Sequence, residues 1–156
     1  MENKHRLLMV EDSQTLAAIY ASYLSGREFE VCIVDSLARA RDEWPRFNPD
    51  IVLLDVELPD GHGLDLLRNP PDAESAPEIV VMTAFGSSEM AVEAIRIGAS
   101  DYLSKPFNAD RLHVTLNNAL DQRRLKSTVD QLAELRRDRY CDFIGGSLPM
   151  QSVYRI

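Results

Sequence analysis

Positive charge is scarce in this chain. Its 156 residues carry 17 Lys and Arg against 25 Asp and Glu, a formal net charge of -8 at pH 7. A surface that grips nucleic acid needs the opposite balance, so this stretch is not expected to be one. Cysteine is scarcer still: Cys32 and Cys141 stand far apart and in no metal-ligand spacing. That argues against a disulfide framework or a cysteine-held metal and leaves a reduced, cytoplasmic protein as the expectation. No apolar run comes near the roughly 20 residues of a membrane helix, and the opening MENKHR lacks the apolar stretch of a signal peptide. No membrane partner is expected. Internal repeats and low-complexity tracts are missing as well.

Hydrophobic residues, by contrast, make up 45% of the chain, enough to bury the core of one full domain. The acidity is uneven: residues 121–156 hold seven Lys or Arg against five Asp or Glu, so the excess negative charge lies before residue 121. Five short apolar runs, Leu7–Val10, Phe29–Val34, Ile51–Leu54, Ile79–Met82 and Tyr102–Leu103, alternate with helical patterns. The first, third and fourth are almost continuously apolar, as strands covered on both faces are. Helices are expected over Ser13–Leu24, Leu37–Phe47, Leu64–Arg68, Glu89–Ile97 and from Asp110 onward, with Ser13 and Ser36 as caps of the first two. Prolines at Pro70 and Pro71 should end the third helix early. Strand and helix in strict alternation give an α/β fold. It is expected to be a doubly wound, five-stranded parallel sheet of the flavodoxin-like kind, order 2-1-3-4-5, with an extended C-terminal helix.

In such folds ligands sit at the carboxyl ends of the strands. The first strand ends at Glu11-Asp12, the third at Asp55, the fourth at Thr83-Ala84 and the fifth near Lys105-Pro106. With the first and third strands as neighbours, Glu11, Asp12 and Asp55 meet in one pocket. Three carboxylates repel one another, and a hard divalent cation such as Mg²⁺ would hold them. Asp55 would then be aimed as a nucleophile toward phosphorus, with Lys105 and the Thr83 hydroxyl on the phosphoryl oxygens and Ala84 leaving room for the group. Taken singly, each residue has a plainer reading: Asp55 as a strand-ending turn residue, Glu11-Asp12 as a helix-start charge pair, Lys105 as a surface lysine. His5, His62 and His113 lack metal spacing, His62 reads as a solvated loop residue, and Trp44 reads as a packing residue.

VEDS, LLDVELPDGHG, MTA and SKPF follow the first, third, fourth and fifth strands in that order over roughly residues 5–123. Together they resemble the receiver domain of two-component response regulators, whose fold is CheY-like. The resemblance implies that Asp55 is the phosphoacceptor and that Glu11 and Asp12 bind Mg²⁺ with Asp55 and the backbone carbonyl of Glu57. It implies that Thr83 and Tyr102 form a switch pair and that Lys105 contacts phosphate and precedes a cis peptide bond at Pro106. The partner would be a histidine kinase or phosphotransfer protein.

From Ala109 to Tyr140 no Gly or Pro interrupts the chain. Leu125, Val129 and Leu132 follow at spacings of four and three, a coiled-coil seam, and with Leu112 and Leu116 they are expected to form a homodimer interface. A solvated helix extension is the alternative. The ending DFIGGSLPMQSVYRI resembles the opening of the AAA+ ATPase domain of sigma-54-dependent (NtrC-type) activators. The expected organisation is a receiver over 1–123, a helical linker over 124–140 and the start of a truncated AAA+ domain over 141–156, with Ile144 and Gly145 near its nucleotide. ATP, DNA and sigma-54 RNA polymerase would be bound by parts beyond this chain. The expected function is signal reception without turnover of an external substrate. The other readings are a phosphorylation-independent dimerisation module and an aspartyl-phosphate phosphatase, the latter disfavoured because a haloacid-dehalogenase-type enzyme would carry Asp where Glu57 stands.

Overall fold

The computed structural model describes residues 4–26, 28–71, 76–84 and 88–143, with side chains of the final helix described through Lys126 and again at Leu132. In chain order the elements are β1 (His5–Val10), α1 (Gln14–Tyr23), β2 (Phe29–Val34), α2 (Leu37–Phe47), β3 (Ile51–Asp55), β4 (Glu57–Leu58) and β5 (Gly61–His62). Then follow α3 (Gly63–Arg68), β6 (Glu78–Thr83), α4 (Ser88–Arg96), β7 (Asp101–Ser104) and α5 (Ala109–Phe143). Five strands form one sheet in the order β2-β1-β3-β6-β7, every pair parallel. With the two-residue arms β4 and β5 set aside, this is the expected order 2-1-3-4-5.

The apolar runs divide between two layers by the period of two that a strand imposes. Leu7, Met9, Ile51, Leu53, Val80, Met82 and Leu103 bury one face of the sheet with Ala17, Tyr20, Leu112 and Leu116. Leu8, Val10, Val52, Leu54, Ile79 and Val81 bury the other with Leu37, Ala40, Trp44, Leu64, Leu66 and Ala94. Helices α1 and α5 thus cover one side and α2, α3 and α4 the other. Trp44 is fully enclosed, as a packing residue should be. Ser13 and Ser36 cap α1 and α2, accepting from the amides of Leu16 at 3.3 Å and Arg39 at 3.2 Å.

Several observations go beyond or against the expectations. Strand β6 starts one residue early, on Glu78, which is buried and hydrogen-bonded by the Ser100 hydroxyl. The segment after Asp55 is not a plain turn: Glu57 pairs with His62 and Leu58 with Gly61 in a short antiparallel hairpin. Leu112 and Leu116, expected at a dimer interface, are both 0% exposed within the inner layer. Their spacing of four marks the face of α5 that packs on the sheet, so neither reaches a surface that a second copy could cover.

Leu125 and Leu132 are 66% and 59% exposed, while the side chain of Val129 lies outside those described. The chain divides into two compact units, Met1–Gln122 and Arg123–Ile156. Residues 141–143 continue α5, and the rest of the stretch expected to open an AAA+ domain, with Ile144 and Gly145, lies outside the described residues. Among the described residues no helix is long and apolar enough to cross a membrane.

Candidate functional site

The carboxyl ends of β1, β3, β6 and β7 deliver the polar residues, and backbone bonds between neighbouring strands fix each end. The Glu11 amide donates to Val34 O at 3.0 Å, the Val56 amide to Met82 O at 3.0 Å and the Lys105 amide to Thr83 O at 2.8 Å. Asp55 is the last residue of β3 and lies in register with Met82. The chain turns back at once: the Gly63 amide donates to Val56 O at 2.5 Å. A Cβ on Gly63 would stand 2.1 Å from the Asp55 carbonyl oxygen, so only glycine fits there.

Around Asp55 the expected residues converge. Glu11, Asp12 and Asp55 each offer a carboxylate oxygen, and these oxygens lie within 4.8 Å of one another. The Lys105 ammonium reaches between two of them, 2.5 Å from Glu11 Oε1 and 3.0 Å from Asp55 Oδ2. The Glu57 amide donates to Asp55 Oδ1 at 3.3 Å. With Ser13, Leu16, Leu58, Pro59 and Ala84 these residues line an open cavity of about 360 Å³. Glu11, Asp55 and Thr83 are buried, whereas Asp12, Glu57 and Ala84 are exposed. The Lys105–Pro106 peptide bond is cis.

The charges do not balance. Two buried carboxylates face a single ammonium, and a third carboxylate stands at the rim. Burial, followed by the hydrogen bond and repulsion of Asp55, pushes the Glu11 carboxyl from 4.5 up to about 7, although Lys105 pulls it down. Burial alone would lower the Lys105 ammonium, but its hydrogen bonds to Glu11 and Asp55 outweigh that and hold it above its ordinary value. The ammonium therefore stays charged, and burial beside Asp55 shifts Glu11 toward its protonated form. Glu11 Oε2 is buried without a hydrogen-bond partner. An orphaned carboxylate oxygen in an all-oxygen cluster fits a hard divalent cation such as Mg²⁺, which takes oxygen ligands and keeps several waters.

Thr83 and Tyr102 share a face of the sheet. Tyr102 is in register with Val81, two residues before Thr83 on the same side of β6. The Tyr102 ring is half-buried against the layer that holds α4. Sequence reasoning missed two residues here. Asp60 accepts hydrogen bonds from the amides of Leu37 at 2.9 Å and Ala38 at 3.0 Å, the start of α2. His62 is exposed, as a loop residue should be, but its Nδ1 accepts from the Leu64 amide at 3.3 Å and caps α3. Pro59-Asp60-Gly61 is a turn-forming sequence, yet nothing local points from Asp60 to a helix 23 residues away.

Residues 7–117 match the protein family described as the response regulator receiver domain. Over 148 residues the chain is 45% identical to Regulatory protein LuxO of Vibrio cholerae serotype O1, covering 94% of this chain and 32% of that protein. Over 134 residues it is 34% identical to Transcriptional regulatory protein DpiA of Escherichia coli, covering 85% of this chain and 59% of that one. Two solved structures are similar. NtrX from Brucella abortus has a TM-score of 0.76 at 31% identity, over 83% of this chain and 30% of that one. The BeF3-activated N-terminal receiver domain of Klebsiella pneumoniae RstA has a TM-score of 0.68 at 29% identity, over 74% and 98%. The chain spans about a third of the length of the LuxO relatives it matches, at 32%.

Proposed function

The chain belongs to the response regulator receiver domain family, and from that premise we propose that Asp55 accepts a phosphoryl group from a histidine kinase or phosphotransfer protein in a Mg²⁺-dependent step. The observation that carries this reading is the convergence of three carboxylates, one of them with an orphaned oxygen, on a single lysine at the strand ends. Glu11, Asp12, Asp55 and the Glu57 carbonyl would hold Mg²⁺. When bound, the ion neutralises the carboxylates and the charge that develops on the phosphoryl oxygens.

The chain's own residues do the rest. Lys105 and the Glu57 amide orient the Asp55 carboxylate. One Asp55 oxygen attacks phosphorus, the bond from phosphorus to the donor imidazole nitrogen breaks, and the imidazole leaves with the electron pair. Lys105 and the Thr83 hydroxyl then hold phosphoryl oxygens, and Ala84 leaves them space. The product adds up to about two negative charges at Asp55. Thr83 is drawn toward them, and Tyr102, on the same face, turns into the space it leaves. The surface of α4, β7 and α5 changes shape, and that change is the output.

Leu125, Val129 and Leu132 would pair two copies along α5, a reading supported by two exposed leucines one heptad apart. Phosphorylation would rearrange that dimer and control an AAA+ ATPase that acts on sigma-54 RNA polymerase, with a DNA-binding domain further on. The receiver itself turns over no external substrate, and its expected place is the cytoplasm. The test is sedimentation of the protein with Mg²⁺ and beryllofluoride. Wild type should change its oligomeric state and Asp55→Asn should not. No response in wild type, or an equal response in the variant, overturns the proposal.

A further inference from the structure

We propose that Asp60 is a positioning residue for the phosphoryl site: it fastens the tip of the β4–β5 hairpin to the start of α2, and thereby holds Glu57 at the edge of the carboxylate pocket. The inference rests on the proposed function above, in which the Glu57 carbonyl faces the cation.

Helix α2 already has a cap of its own. Ser36 Oγ accepts from the Arg39 amide at 3.2 Å. That leaves the amides of Leu37 and Ala38 among the unsatisfied donors of the first turn. Asp60 takes both, one with each carboxylate oxygen, at 2.9 and 3.0 Å. The same bonds, to Leu37 and then Ala38, hold its carboxyl below the ordinary range. A second contact reinforces the attachment. Gly61 has φ +152°, and a Cβ there would come within 2.9 Å of Leu37 Cδ1, so the hairpin tip lies directly on that side chain.

The other end of the hairpin is anchored to the phosphoacceptor. The Glu57 amide bonds Asp55 Oδ1, and the Gly63 amide closes on Val56 O against the Asp55 backbone. Between these anchors lie Glu57, Leu58 and Pro59, all of which line the cavity. The hairpin has only two residue pairs of its own, Glu57 with His62 and Leu58 with Gly61. So short a ladder does not hold its shape unaided. The carboxylate of Asp60 supplies the missing constraint from across the fold.

A helix cap without any wider role would give the same two hydrogen bonds, and Ser36 separates the two cases. Ser36→Ala and Asp60→Ala each remove one cap from the same helix, but of the two only Asp60 belongs to the hairpin. Mg²⁺ binding is measured by calorimetry, and amide hydrogen exchange over residues 56–63 is followed in the metal-free protein. Asp60→Ala should weaken Mg²⁺ binding by roughly tenfold, the scale for groups that orient metal ligands, and should speed exchange in the hairpin. Ser36→Ala should change neither, and Asp60→Asn, which keeps one acceptor oxygen, should fall between. If Asp60→Ala and Ser36→Ala give the same affinity and exchange as each other, Asp60 is only a helix cap and the inference is overturned. If wild type itself takes up no Mg²⁺, the proposed function fails and this inference falls with it.

Discussion

In the metal-free protein, raising the pH from 5 to 8 should cost stability through a single buried carboxyl, that of Glu11. Its ordinary value is 4.5, and in the fold it is pushed up to about 7. Between those two values the unfolded chain has released the proton while the folded chain still holds it. Stability therefore falls as pH rises across this window. The contribution is fully present below 4.5, is lost as pH passes through about 7, and changes no further above that. At about 1.4 kcal/mol for each pH unit of displacement, the loss has an upper limit of about 3 kcal/mol. Glu11 is itself only 2% exposed, but it lines an open cavity, so solvent screening keeps the loss below that figure.

The assay is urea unfolding at intervals from pH 5 to 8, without divalent ions, for wild type and Glu11→Gln. The amide mimics the protonated acid and cannot titrate. Groups away from the pocket titrate equally in both proteins, so the difference between the two profiles isolates the Glu11 site and the groups coupled to it. Lys105 adds no slope here, because its value is raised from 10.5, above the range scanned. Saturating Mg²⁺ should remove the wild-type fall, since the carboxylate is then ionised throughout. Parallel profiles for the two proteins would refute the reasoning, because they would mean that the surplus charge beside Lys105 is not relieved at Glu11.

Three further variants report on packing. Gly63→Ala should destabilise the fold by about 3 kcal/mol or more by urea unfolding, since the new methyl would sit 2.1 Å from the Asp55 carbonyl oxygen and backbone must move. Leu112→Ala should cost about 2–5 kcal/mol of unfolding free energy, because Leu112 is 0% exposed. Leu125→Ala should change it by no more than about 0.5 kcal/mol, because Leu125 is 66% exposed. In sedimentation experiments, however, Leu125→Ala should weaken self-association.

The residues that could be read in advance are those whose signal is local. Leu7–Val10 and Ile51–Leu54 announce buried parallel strands because no polar residue interrupts them, and Ser13 and Ser36 announce caps because they stand just before helical patterns. The alternation of strands with helices gives a parallel sheet, and the flavodoxin-like order that suits its size brings Glu11, Asp12 and Asp55 together. What escaped depends on contacts across the fold. Glu78 reads as a polar residue outside its strand until Ser100 is seen to satisfy it. Asp60 reads as a turn residue until α2 is seen beside it. Leu112 and Leu116 carry the same spacing of four as Leu125 and Val129. Helical periodicity names a buried face without naming what buries it, and here the sheet claims the first pair.

The claim beneath all of this is that the pocket exists to put a phosphoryl group on Asp55 with the help of a divalent cation. The most direct measurement is mass-spectrometric mapping of the phosphoryl group after incubation with acetyl phosphate, run in parallel with Mg²⁺ and with EDTA. The account predicts label on Asp55 alone, and only in the Mg²⁺ sample. Label on another residue, or equal label in EDTA, would contradict it.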